Sequence, residues 1–87
     1  MKPEQIYQAL KELAEKLNIN VSEQNLRQSG LKAQSGLCKV KGQQCFIMDK
    51  HKTIHEKNEL LAACLSQMHH EDIYVVPAVR ELLYKFK

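Results

Sequence analysis

Residues 37–49 read LCKVKGQQCFIMD, and their alternation decides the fold. Gly42-Gln43 can form a two-residue turn with glycine in first place, between flanks that alternate at the period of a β-strand. That register sets Lys41 opposite Gln44, Val40 opposite Cys45, Lys39 opposite Phe46 and Cys38 opposite Ile47. One face then carries Cys38, Val40, Cys45 and Ile47 and reads as the core face. The other carries Leu37, Phe46 and Met48 among Lys39, Lys41 and Gln44. It is only half polar, so another element or another chain is expected to cover it.

Outward from the hairpin the period changes from two to 3.6 residues. In TIHEKNELLAACLSQM (53–68), Thr53 and Glu56 have the S/T-x-x-E spacing of a capping box, which starts a helix at Ile54. Leu60, Leu61, Cys64, Leu65 and Met68 form its buried stripe. HHED (69–72) is a polar break. Val76 precedes a proline, so residues 73–76 are expected to be extended. Pro77 opens a short helix whose Val79, Leu82, Leu83 and Phe86 share a face.

On the N-terminal side, KPEQIYQALKELAEKLN (2–18) is a helix with Ile6, Leu10, Leu13, Ala14 and Leu17 on one stripe. Pro3 suits the first turn, Glu4 complements the dipole, and Asn18 is a C-terminal stop. Ile19 and Val21 alternate around a polar residue, as in a short strand, and residues 27–36 with two Ser-Gly pairs read as a loop. These elements predict an α+β fold. A small antiparallel sheet, the hairpin plus a short third strand, is packed by two main helices and a short C-terminal helix. Its 87 residues make a single compact domain.

The first helix carries charges through its apolar stretch, so it is neither a signal peptide nor a membrane span, and a cytoplasmic location is the expectation. Three cysteines, an odd number, are read as reduced thiols. A net charge of +3 spread along the chain is below the balance of a dedicated nucleic-acid binder.

His55-Glu56 has the look of half an H-E-x-x-H zinc motif, but the position four residues on is Glu59. The capping box asks Glu56 to fold back on the helix start, so a solvated first turn is the favoured account of the pair. His51 and His55 are also four apart, with the cap residue Thr53 between them and no third ligand in view. His69 and His70 are explained by a helix C-terminus. Cys38 and Cys45 are diagonal neighbours in the predicted register, roughly 7–8 Å apart and beyond disulfide reach, and read as small buried hydrophobes. Lys39 and Lys41 share a strand face with Phe46, a basic and aromatic pairing that could take a single strand of nucleic acid, although no second aromatic platform accompanies it.

The order ELAEKLNINV, GLCKVKGQQCFIMDK and LLAACLSQM resembles the core of the ImmA/IrrE-type zinc metallopeptidases. That family has an N-terminal helix, a strand pair and a helix carrying L-A-H-E-x-x-H. Laying its Leu-Ala on Leu61-Ala62 puts the first zinc histidine at Ala63, the glutamate at Cys64 and the second histidine at Gln67. The resemblance therefore implies a non-catalytic relative.

Taken together, the sequence points to a non-catalytic cytoplasmic interaction or regulatory module that self-associates, without a cofactor. Its expected partner-binding residues are Leu37, Phe46 and Met48. A metal-binding protein or metal-dependent hydrolase using His51, His55 and Glu59 is the competing class. Weak nucleic-acid binding through Lys39 and Lys41 is the third.

Overall fold

The computed structural model describes residues 1–25, 36–68 and 72–86. Along the chain run α1 (Pro3–Lys16), β1 (Ile19–Gln24), β2 (Gly36–Val40), β3 (Gln43–Asp49), α2 (Ile54–Ser66) and α3 (Pro77–Lys85). The α+β class, the hairpin, the third strand, the two main helices and the short C-terminal helix are all present. The sheet itself is mixed: its order is β1-β3-β2, with β1 parallel and β2 antiparallel to the central β3.

Local chemistry sets the element ends. Pro3 begins α1 after an extended Lys2. Asn18 ends it in the left-handed region at φ 62, a conformation asparagine tolerates better than most residues, and so turns the chain into β1. The Gln43 amide nitrogen donates to the Asn18 carbonyl at 2.7 Å, fastening that turn to the start of β3. At α2 the capping box is complete: the Glu56 N–H donates to Thr53 Oγ1 at 3.2 Å, and the Thr53 N–H donates to Glu56 Oε1 at 3.3 Å.

The hairpin turn lies one residue earlier than the sequence suggests. Lys41 (φ 52) and Gly42 (φ 80) both have positive φ, so they are the central pair of a type I′ turn, whose twist matches that of the flanking strands. Val40 then pairs Gln43, Lys39 pairs Gln44, Cys38 pairs Cys45 and Leu37 pairs Phe46. This changes every pair but keeps the same residues together on each face, because the side-chain period is two.

What is reversed is which face meets the helices. Phe46 and Met48 are buried at 3% and 0% exposure, while Cys45 and Ile47 are only half-buried. The third strand explains the inversion. Its parallel register aligns Ile19, Val21 and Glu23 with Gln44, Phe46 and Met48, and aligns Asn20, Ser22 and Gln24 with Cys45, Ile47 and Asp49. Only the first set gains apolar side chains from β1, Ile19 and Val21, so the helices settle on that face. Ile19, Phe46 and Met48 join Leu10, Leu13, Leu61, Leu65, Val79 and Leu83 in one hydrophobic cluster. Of the predicted core face, Cys38, Cys45 and Ile47 thus stand on the outer face.

The stripe of α2 is also rotated. Leu61 and Leu65 are fully buried, but Leu60, Cys64 and Met68 flank the core, and Asn58, Ala62 and Ser66 complete the buried line. The Asn58 amide nitrogen donates to the Pro3 carbonyl at 3.0 Å, and the Ser66 hydroxyl donates to the Ala63 carbonyl at 2.8 Å. Asn58 Oδ1 has no partner among the described residues.

Candidate functional site

The hairpin carries the chemistry that the core does not absorb. Counting outward from the two-residue turn, Val40↔Gln43 and Cys38↔Cys45 are hydrogen-bonded pairs, and Lys39↔Gln44 and Leu37↔Phe46 are the non-bonded pairs between them. The N–H and C=O groups of Leu37 and Lys39 therefore point away from β3. Among the described residues β2 pairs with β3 alone, so those groups form a free sheet edge. Leu37 lies on that edge with 42% of its surface exposed.

Of the three residues predicted to bind a partner, the structure leaves only Leu37 at the surface. Phe46 and Met48 stand on the same side of the sheet as Leu37, but they are covered by the helix layer. The sequence pattern could not separate the cases, since both hairpin faces are equally apolar.

On the opposite face Cys38 and Cys45 stand directly across from each other, both half-buried and both free thiols. The diagonal arrangement inferred from the sequence is corrected by the shift of the turn. Residues in a hydrogen-bonded antiparallel pair have Cα atoms about 5.5 Å apart, inside the span a disulfide bridges. Cys45 Sγ makes a weak contact to the Gln43 carbonyl at 3.8 Å. Cys64 sits apart on the flank of α2, where burial pushes its thiol pKa up.

A polar cluster unforeseen in the sequence joins three elements. Glu23, facing the helices from β1, accepts from Lys57 Nζ at 2.7 Å on one carboxylate oxygen and from the Tyr7 hydroxyl at 3.1 Å on the other. Lys11 and Lys57 lie over the Tyr7 ring, 5.0 and 5.6 Å from its centroid. The Lys57 bond holds the Glu23 carboxyl below its ordinary range, with the Tyr7 bond helping. Burial, and next the Glu23 charge, push the Tyr7 hydroxyl well above its ordinary value. Shifted titrations can mark an active site. Here both carboxylate oxygens are already taken by the chain's own donors, and the arrangement is that of a clamp between α1, β1 and α2. Its signal in the sequence was Glu23 at the inward period of β1.

The residues of the metal reading do not form a three-ligand group. His51 lies exposed in the turn after β3, its N–H donating to Asp49 Oδ1 at 3.0 Å. His55 is exposed in the first turn of α2, and Glu59 is exposed one turn on. Bonds from Thr53, the backbone one first, hold the Glu56 carboxyl low, so it serves the cap. Among the described residues no three His, Cys, Asp or Glu side chains come together as a metal site would need. His69 and His70 lie outside the described residues. The positions matched to the metallopeptidase motif are the half-buried Ala63 and Cys64 and the exposed Gln67, whose amide nitrogen donates to the Phe86 carbonyl at 3.4 Å.

The two hairpin lysines of the nucleic-acid reading have no aromatic platform beside them among the described residues. Lys39 and Lys41 are exposed, but Phe46 is buried away from any base that could stack on it. Of the neighbouring lysines, Lys57 is bound to Glu23, and Lys52 lies 3.7 Å from Glu56.

No helix among the described residues is long and apolar enough to cross a membrane. Comparison with protein-family models, with curated proteins and with solved structures finds no match.

Proposed function

We propose that the chain is a small non-catalytic interaction module that self-associates by pairing β2 of one copy with β2 of another. The observation that carries this reading is the outer edge of β2, which no other strand among the described residues pairs, with the outward backbone groups of Leu37 and Lys39 and the exposed Leu37 side chain. An unpaired edge is a template for another strand, and natural edges are blunted with proline, charge or bulges. The five residues Gly36–Val40 hold no proline and one charge, Lys39. A second copy in antiparallel register would satisfy the outward N–H and C=O groups symmetrically, as a two-fold interface requires. It would also bring a second Leu37 to the rim of the inner layer, extending the apolar cluster across the new strand pair.

Sedimentation equilibrium on the wild type and on Lys39→Pro tests this. Residue 39 gives no hydrogen bond to β3, so proline there removes an outward donor and leaves the hairpin ladder whole. The expected result is a folded monomer in place of a dimer. A wild type that stays monomeric up to about millimolar concentration, where even weak pairing would register, overturns the reading.

A further inference from the structure

We propose that Cys38 and Cys45 are a modification site: a cross-strand dithiol that a low-molecular-weight disulfide of the glutathione class converts reversibly to an intrachain disulfide. The two thiols sit on paired positions of adjacent antiparallel strands and project from the same outer face of the sheet. Each is half-buried and free, so a small reagent can reach them. The strand pairing already brings their backbones to disulfide range. β2 has a single strand partner among the described residues and joins β3 through a two-residue turn, so it can shift slightly to bring the sulfurs into contact.

The pairing class also predicts reversibility. In a hydrogen-bonded pair the Cβ atoms lie farther apart than the ~3.8 Å a relaxed disulfide prefers. The bridge must then be closed against the ladder, which makes it easier to reduce than a structural disulfide. Cys64 stands apart on α2 with no facing thiol, and burial disfavours its thiolate, so it stays reduced.

The exchange runs in two steps. The thiolate of one protein cysteine attacks a sulfur of the small disulfide, whose S–S bond breaks as one small thiolate leaves. The thiolate of the second cysteine attacks the protein sulfur of this mixed disulfide and expels the second small thiolate. The two protons lost by the protein end on the two small thiols. The protein pair is oxidised by two electrons, and the small disulfide is reduced by the same two.

The full chain is incubated with oxidised glutathione, alkylated under denaturing conditions, and measured by intact mass and after trypsin. Trypsin cuts after Lys39 and Lys41, so residues 33–39 and 42–50 remain joined only through a Cys38–Cys45 bond. The expected product lacks two hydrogens, carries one alkylated thiol at Cys64, holds those fragments together, and returns to the reduced form with dithiothreitol. Cys38→Ser and Cys45→Ser should instead each accumulate a stable glutathione adduct on the remaining partner, because the resolving thiol is gone. Phenylarsine oxide, which bridges two adjacent thiols, should protect both from alkylation in the wild type and provides a readout that needs no variant. Stable adducts on both cysteines of the wild type, a disulfide between two chains, or three thiols left free would each overturn the proposal. None of these readouts depends on pairing of β2, so the two readings fail separately.

Discussion

Lys57 Nζ and Glu23 Oε1 stand 2.7 Å apart although 34 positions separate them in the chain, tying the end of β1 to the first turns of α2. The lysine is 13% and the glutamate 33% exposed, so water screens the pair only in part. Replacing Lys57 by Met leaves Glu23 with the Tyr7 hydroxyl alone, and a loss of about 1–2 kcal/mol is expected, between exposed and buried pairs. Urea unfolding measures it; an unchanged midpoint would show that the pair contributes nothing net.

The same cluster shapes stability at both ends of the pH scale. Glu23 has a folded pKa below its ordinary 4.5, so its contribution is complete above 4.5 and shrinks as pH falls toward the lower folded value. Tyr7 has a folded pKa above its ordinary 10.0, so its contribution is complete below 10.0 and shrinks as pH rises toward the raised value. Glu23→Gln should flatten the acid limb and Tyr7→Phe the alkaline limb of the denaturation curve. Parallel curves for variant and wild type would contradict the assignment.

The two faces of β3 should respond oppositely to charge. Met48→Asp puts a carboxylate at a fully buried position and is expected to cost about 4 kcal/mol or more, enough to unfold a domain of this size. Ile47→Glu, on the outer face, should cost about 1 kcal/mol or less. Circular dichroism and thermal melts of the pair decide the orientation of the sheet, and the reverse ranking would restore the opposite face as the core.

Lys41 has a positive φ that its side chain does not favour. Asparagine is the preferred residue at the first central position of a type I′ turn before glycine. Lys41→Asn is therefore expected to stabilise the protein by about 0.5 kcal/mol, read as a higher melting temperature. Thr53→Ala, which removes the oxygen that caps α2, should cost about 1 kcal/mol in the same assay.

How much was legible follows from where a local rule had one answer. Thr53 with Glu56, Pro3, Asn18 and Pro77 each marked a helix boundary through the chemistry of its own side chain or ring, and each does so in the fold. The hairpin was legible as a hairpin, but two equally apolar faces left its orientation to β1, whose parallel register is a long-range fact. A turn placed one residue off kept the faces and changed the pairs, which hid the confrontation of Cys38 with Cys45. Asn58, Ser66 and Glu23 were missed because polar residues at inward positions look like surface until their partners are known.

The central strand of the sheet is the last of the three to be synthesised. Until residues 43–49 are available, β1 lacks its one strand neighbour among the described residues, and its inward Ile19 has no Phe46 or Met48 beside it. Sheet assembly is thus postponed to a single event, in which one segment zips to the nearby β2 and closes the distant β1 in the same motion. The local hairpin, closed by two residues, forms on the faster timescale, and docking of β1 sets the pace. A ribosome-bound fragment ending before residue 43 should therefore hold α1 as a fluctuating helix and no sheet.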